Sequence, residues 1–253
     1  MPMMMSDFFM VSCLFSGNSV CFAQQNPCPK GMVVRKSQNN FVPLCAKKQK
    51  ALLSMKAVFK FSSSKLSQIP DHGKPEFAFI GRSNVGKSSL VNMLTESKIA
   101  KVSAPPGKTK LINHFLCDEM WWLVDLPGYG YARTSQSVRK EFATIITDYV
   151  TKAKGLYFLF VLVDSRHAPM KIDLDFMQLL GREGVPFGVV FTKTDKQSQR
   201  QTNLNIEAYR KALSEWWEEL PPMFATSSSK GRGREEILGF IADCLVNVDK
   251  TTE

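Results

Sequence analysis

Three short stretches of the chain carry the residue types and spacings that bind and activate a nucleotide. The first is Gly81-Arg82-Ser83-Asn84-Val85-Gly86-Lys87-Ser88, a GxxxxGKS phosphate loop. Its glycines let the backbone curl so that successive N–H groups face phosphate oxygens; Lys87 supplies a point charge and the Ser88 hydroxyl reaches Mg²⁺. The second is Asp125-Leu126-Pro127-Gly128, 37 residues beyond Ser88. A carboxylate at Asp125 can hold the metal through water, and the Gly128 N–H can donate to a γ-phosphate. Alone this is an ordinary turn sequence; its place after the phosphate loop gives it meaning. The third is Thr192-Lys193-Thr194-Asp195. A carboxylate at Asp195 can accept from the N1–H and the N2 amino group of guanine. Adenine lacks that donor pair, and a base that leaves polar groups unpaired is rejected strongly, so GTP is favoured over ATP.

Each motif needs a strand to end where it begins. Glu76–Ile80 is a short apolar strand that runs into the phosphate loop, and Ser88–Ser97 has helical spacing at Leu90, Val91 and Leu94. Leu111–Leu116 alternates weakly, and Trp121–Val124 is a buried strand that ends at Asp125. Ser137–Lys154 places Phe142, Ile145, Ile146, Tyr149 and Val150 on one helical face. Leu156–Val163 is an unbroken apolar run, the pattern of a central strand buried on both faces. A helix over Leu174–Leu180 closes at Gly181 or Gly184, and a strand over Val185–Phe191 leads into the third motif. Gln201–Glu219 is a polar-faced helix, Met223–Ala225 a short strand and Glu235–Val246 a closing helix. Strands alternating with helices of this length predict an α/β fold with a doubly wound, mostly parallel sheet.

The ordered set of phosphate loop, DxxG and TKxD identifies a G domain, the Ras-like branch of the P-loop NTPase fold. Five stretches narrow it: GRSNVGKSSL (81–90), PGKTK (106–110), DLPGYGYA (125–132), DSRHAPMKID (164–173) and TKTD (192–195) closely resemble the EngB (YihA/YsxC-type) family of GTP-binding proteins, within the TrmE-Era-EngA-EngB-Septin-like GTPases. The resemblance spans almost all of 71–253. It implies a switch I segment at Gly107-Lys108-Thr109-Lys110-Leu111, with Thr109 as a second Mg²⁺ ligand beside Ser88. It also implies a base-closing loop at Thr226-Ser227-Ser228, after the last strand. Cofactors implied are GTP or GDP with Mg²⁺. The catalytic set is then Lys87, Thr109 and Gly128, and the metal set Ser88, Thr109 and Asp125. Family members are implicated in large ribosomal subunit assembly and, in bacteria, in division and septation.

Two positions bear on hydrolysis. Ras-type GTPases place a glutamine directly after DxxG to orient the attacking water; here Tyr129 stands there, so slow intrinsic hydrolysis is expected, completed by a partner. G domains resembling this one can use an asparagine at the position of Asn84 to hold K⁺, where an arginine finger would place its charge; the alternative is that Asn84 braces the loop. His114 and His167 have no Ser/Cys–acid arrangement beside them and are read as non-catalytic. The pairs Trp121/Trp122 and Trp216/Trp217 are read as alternating between core and surface. Lys108, Lys110, Arg133, Arg139, Lys140, Arg166, Arg232 and Arg234 fall near the nucleotide-face loops, where they would form either an rRNA-contacting rim or a solvated face.

The charge is unevenly spread. The 253 residues carry 33 Lys+Arg and 23 Asp+Glu, a balance of +10. Residues 1–70 hold nine basic residues and one acid, Asp7, a balance of +8, together with ten serines and four of the six cysteines. Residues 71–253 are left at +2. An acid-poor, Ser-rich, basic leader has the composition of an organelle transit peptide, so 1–70 is expected to be a disordered extension and 71–253 the G domain. The rival readings are a secretory signal built on Phe8–Phe15, which lacks a positively charged start, and a disordered tail without an address. With only Arg35 before Arg82, a plastid is expected ahead of a mitochondrion. Cys117 and Cys244 sit in apolar stretches, as buried free thiols do, and no metal-spaced Cys/His cluster occurs. No apolar run is long enough to cross a bilayer.

The expected function is a GTP-hydrolysing switch that acts on the organellar large ribosomal subunit or its rRNA, with guanine nucleotide as ligand and the chain itself a monomer. Two alternatives stay open: a GTPase of organelle division or septation, and a docking module whose nucleotide stabilises one conformation while turnover is incidental.

Overall fold

The computed structural model describes residues 11–15, 18–22, 55–100, 111–129 and 136–251. Strands β1 (Val11–Phe15) and β2 (Asn18–Phe22) pair antiparallel as a separate two-stranded sheet. The remaining strands form one sheet: β3 (Ala57–Ser63), β4 (Glu76–Gly81), β5 (Ile112–Cys117), β6 (Trp121–Asp125), β7 (Leu156–Asp164), β8 (Phe187–Thr192) and β9 (Met223–Ala225), in the order β3-β5-β6-β4-β7-β8-β9. Pairing is parallel from β6 through β9 and antiparallel for β3–β5 and β5–β6. The α/β reading with a mostly parallel sheet therefore holds.

Among the described residues five α-helices cover the two faces: α1 (Lys87–Thr95), α2 (Gln136–Lys152), α3 (Lys171–Arg182), α4 (Gln199–Ser214) and α5 (Arg234–Thr251). Alternate residues of each central strand point to opposite faces, and both faces are buried. On one, Phe77, Phe79, Trp121 and Phe160 pack with Leu90, Leu94 of α1 and Ile237, Ile241 of α5. On the other, Ala78, Ile80, Trp122 and Val161 pack with Ile146 and Tyr149 of α2, Met177 and Leu180 of α3, and Tyr209 and Leu213 of α4. This corrects the expectation for the first tryptophan pair: Trp121 and Trp122 are both buried, one on each side of the sheet, because both sides are covered. The second pair behaves as expected, with Trp216 exposed and Trp217 packed on Phe187. Cys117 and Cys244 are both buried. Among the described residues no helix is long and apolar enough to cross a membrane.

The boundary expected at residue 70 is corrected by β3, which places residues 57–63 in the main sheet; of residues 1–54 only β1 and β2 are among the described residues. Strand β3 lies on the outer edge of the main sheet, running antiparallel to β5 from Ala57 opposite Cys117 to Ser63 opposite Ile112. Phe61 stacks on the buried His114 with ring centroids 4.4 Å apart, and Met55 belongs to the core. As an edge strand it needs only one apolar face, so Lys56 and Lys60 interrupt its pattern, and the serines around it disguise it as leader composition. Val58 and Phe59 are both exposed, Phe59 with its ring edge-on to Phe115. Lys56, Lys60 and Lys65 thus belong to the folded body, which from residue 55 onward carries +5.

Candidate nucleotide site

The register of the parallel strands brings the three motifs to one end of the sheet. Phe79 pairs with Asp125, Gly81 with Leu162, and Asp164 with Thr192, so β6, β4 and the pair β7 and β8 all finish at one edge of the sheet, each step about two residues beyond the last. This is the carboxyl end, where open α/β sheets hold ligands.

Between β4 and α1 the loop folds back on itself with Val85 buried as its anchor and Val85 N–H bonded to the Arg82 carbonyl at 3.1 Å. Asn84 and Gly86 both have positive φ, 62° and 109°. The value at Gly86 is one that an L side chain rarely adopts, and it aims the first N–H groups of α1 out of the loop. Lys87 opens the helix and its amine contacts the Asp125 carboxylate, both side chains being largely buried. Asn113 donates to the other Asp125 oxygen at 3.4 Å. Ser88 follows on the first turn of α1.

Past Asp125 the chain presses onto the phosphate loop. Leu126 and Pro127 are buried, and Tyr129 N–H donates to the Gly81 carbonyl at 3.1 Å. A Cβ on Gly128 would come within 2.8 Å of that carbonyl, so only glycine permits this approach. Tyr129 points away from the loop, its hydroxyl donating to Asp173 at 2.9 Å and its ring against Phe176.

The third motif is bonded to the first. Thr192 is buried and its hydroxyl donates to the Val85 carbonyl at 2.6 Å. Lys193, in the left-handed region at φ 60°, donates from Nζ to the Asn84 carbonyl at 2.6 Å and to Asp164 Oδ2 at 2.9 Å. Arg166 grips the same Asp164 carboxylate through two hydrogen bonds of 2.9 and 2.7 Å. Burial alone would raise the Asp164 carboxyl, but the hydrogen bonds from Arg166 and Lys193 outweigh it and hold the group well below the usual carboxylate range. Thr194 donates through its hydroxyl to the Thr226 carbonyl at 3.0 Å, and Ser227 donates to Asp195 Oδ1 at 2.7 Å. That hydrogen bond, helped by Ser229 and Lys196, lowers the Asp195 carboxyl to about 2.

The structure therefore brings residues 81–88, 125–128, 192–195 and 226–228 into one site. Within it Thr192 and Thr194 spend their hydroxyls on the protein, while Lys193 and Asp195 remain partly exposed. Of switch I, residues 107–110, Thr109 included, lie outside the described residues, and Leu111 is exposed beside β5. Of the basic rim, Lys108, Lys110 and Arg133 lie outside the described residues, as do the side chains of Arg139 and Lys140. Arg166 is occupied by Asp164, and Arg234 bonds the Met93 carbonyl and pairs with Glu96. His114 is buried against Phe61, and burial pushes its imidazole down to about 4, consistent with a non-catalytic role.

The stretch 164–173, which its resemblance alone singles out in the sequence, also builds the site. It supplies Asp164, which braces Lys193, and Asp173, which holds Tyr129; for Asp164 an acidic residue at a strand end is the available signal. Among the described residues no group of three or more His, Cys, Asp or Glu is placed to hold a metal. The donors present at the phosphate loop, the Ser88 hydroxyl and the Asp125 carboxylate, are hard oxygens, which suit Mg²⁺ completed by phosphate and water.

Comparison with known proteins agrees. The family model for 50S ribosome-binding GTPase matches residues 76–193. The probable GTP-binding protein EngB of Porphyromonas gingivalis is 56% identical over 187 residues, 74% of this chain and 93% of that protein. Its counterpart in Bacteroides fragilis is 54% identical over 186 residues, 73% and 92% of the two chains. A crystal structure of a probable GTP-binding protein engB shares the fold, with TM-score 0.56 at 23% identity over 67% of this chain and 98% of that one. On these grounds the chain belongs to the EngB family of GTP-binding proteins and is a GTP-hydrolysing enzyme.

Proposed function

We propose that the protein is a GTP-driven switch for assembly of a large ribosomal subunit. The observation that carries the switch reading is the physical joining of the base-reading and phosphate-binding segments: Lys193 bonds the Asn84 carbonyl while the neighbouring Asp195 is set by Ser227. A guanine nucleotide would bridge the two, with Asp195 accepting from the base, the amides of 84–88 and Lys87 meeting the phosphates, and Gly128 N–H meeting the γ-phosphate. Ser88, Thr109 and Asp125 would hold Mg²⁺, which when bound neutralises charge on the β- and γ-phosphate oxygens. Lys87 would leave Asp125 for phosphate as that happens.

The ribosomal target is supported by the 50S ribosome-binding GTPase description of the matching family model. Tyr129, turned to Asp173, presents no group to orient a water, which supports slow hydrolysis until a partner completes the site. Asn84, exposed on the loop with φ 62°, is the residue that would hold K⁺; equal hydrolysis in KCl and NaCl would remove that role. The acid-poor, Ser-rich stretch before residue 55 supports import into a plastid, with a mitochondrion as second choice. A fluorescent fusion of residues 1–54 tests it, and a cytosolic signal would contradict it.

Single-turnover hydrolysis with and without large-subunit particles tests the switch. Stimulation by the particles is expected. An unchanged rate together with nucleotide-independent binding to the particles would favour the docking module.

A further inference from the structure

Tyr129 directly follows the DLPG turn, and two distant parts of the molecule hold it. Its backbone N–H donates to the Gly81 carbonyl of the phosphate loop at 3.1 Å. Its hydroxyl donates to Asp173 Oδ1 at 2.9 Å, in the first turn of α3, and its ring lies on Phe176 with centroids 4.7 Å apart. Asp173 is 2% exposed, and its other oxygen accepts from the Tyr209 hydroxyl of α4 at 3.3 Å.

A buried carboxylate bonded to two phenols, with Arg82 and His167 near enough to act on its charge but forming no ion pair with it, is a poor choice for stability alone. Apolar residues of similar volume would fill the space without the desolvation cost, so what the arrangement supplies is a fixed geometry. That geometry is handed to Gly128. A Cβ there would stand 2.8 Å from the Gly81 carbonyl, so the turn has little room to move toward the phosphate loop. Moving outward would break the bond from Tyr129 N–H to Gly81.

The geometry points to Asp173 as a positioning residue for GTP: through Tyr129 it sets the height of Gly128 against the phosphate loop, and thereby the fit of the site to the third phosphate. The inference rests on Gly128 as the γ-phosphate contact. GDP has no third phosphate, so a loosened turn weakens GTP and leaves GDP nearly untouched. A residue that merely supported the fold would weaken both alike.

The experiment measures affinity of the full chain for GDP and for a non-hydrolysable GTP analogue in Tyr129→Phe, Asp173→Ala, Asp173→Asn and Gly128→Ala. Tyr129→Phe keeps the ring on Phe176 and loses one hydrogen bond to a buried carboxylate; about a fivefold loss of analogue affinity is expected, with GDP within about twofold. Asp173→Ala should lose at least as much. Asp173→Asn, whose carbonyl oxygen still accepts from Tyr129, should recover most of it. Equal losses for both nucleotides, or no change in Tyr129→Phe while Gly128→Ala loses the analogue, would overturn the positioning role. Analogue affinity unchanged in Gly128→Ala would instead overturn the γ-phosphate reading beneath it. Should Asp173→Ala fail to fold, the comparison of Tyr129→Phe with Asp173→Asn decides alone.

Discussion

Ser227 and Asp195 meet at 2.7 Å, hydroxyl to carboxylate, across the gap between the loop after β9 and the loop after β8. Thr194 and Thr226 repeat the contact one residue earlier through two bonds to the Thr226 carbonyl, of 3.1 and 3.0 Å. The base-reading carboxylate is thus oriented before any base arrives, which reduces the ordering cost of binding.

The Ser227 hydrogen bond, with Ser229 and Lys196, holds the Asp195 carboxyl at about 2, below its ordinary 3.8. For an acid with a depressed folded-state pKa, the ionised form and its stabilisation are fully present above the unfolded value and are lost as pH falls through the folded one. Protonation of Asp195 should therefore leave guanine-nucleotide affinity unaffected between pH 7 and 5. In Ser227→Ala, affinity should fall about fivefold at pH 7 through loss of orientation. A titration with fluorescent GDP across this range checks both. An affinity that drops with an apparent pKa near 5 in the wild type would contradict the assignment.

His114 gives the fold a pH dependence of its own. Burial, then the nearby His72, lowers its imidazole from 6.5 to about 4, so the folded state resists a proton that the unfolded chain accepts. Stability should fall as pH drops from 6.5 toward 4, by up to about 3 kcal/mol from this group. Glu76, whose carboxyl is raised chiefly by burial, acts with the opposite sign and opposes part of that loss at the acid end. Urea unfolding at pH 7 and pH 5 measures the slope. His114→Gln should flatten it even if the variant is less stable throughout.

Strand β3 carries a prediction about where the domain starts. Removing residues 1–54 leaves the seven-stranded sheet whole, and thermal stability should stay within ~3 °C. Removing 1–70 strips β3 from β5, uncovers His114 and Trp122 where Phe61 packs, and opens a new sheet edge. The midpoint should fall by ~10 °C or more, or the chain should aggregate. Equal melting of both truncations would show that β3 contributes nothing.

How legible all this was depended on how local the signal is. Strands β4, β6, β7 and β8 are buried on both faces, so their apolar runs announce them, and the motifs at their ends follow with fixed spacing. Helix α3 starts three residues before its apolar period, because Lys171 and Ile172 are exposed and Asp173 is polar, so the period begins only at Leu174. Of the two glycines at which it could close, Gly181 is helical and lies under Trp217, where a Cβ would meet the ring at 2.6 Å, and the helix stops at Arg182, just before Gly184 with its positive φ of 65°. Strand β3 escaped because an edge strand shows half a pattern inside a basic, Ser-rich stretch. The pairings Lys193–Asn84, Ser227–Asp195 and Tyr129–Asp173 join residues 109, 32 and 44 positions apart. No periodicity encodes such contacts; they appear only when the sheet register brings the strand ends to one edge.

The central claim is that Asp195 reads guanine within a site shared with the phosphate loop, and base preference tests it most directly. In Asp195→Asn the amide can donate to the C2 carbonyl of xanthine, where guanine would present a clashing donor. GTP affinity should fall by at least about a hundredfold and xanthosine triphosphate should become the better ligand. Retained GTP affinity, with no gain for xanthosine triphosphate, would contradict the assignment and with it the site.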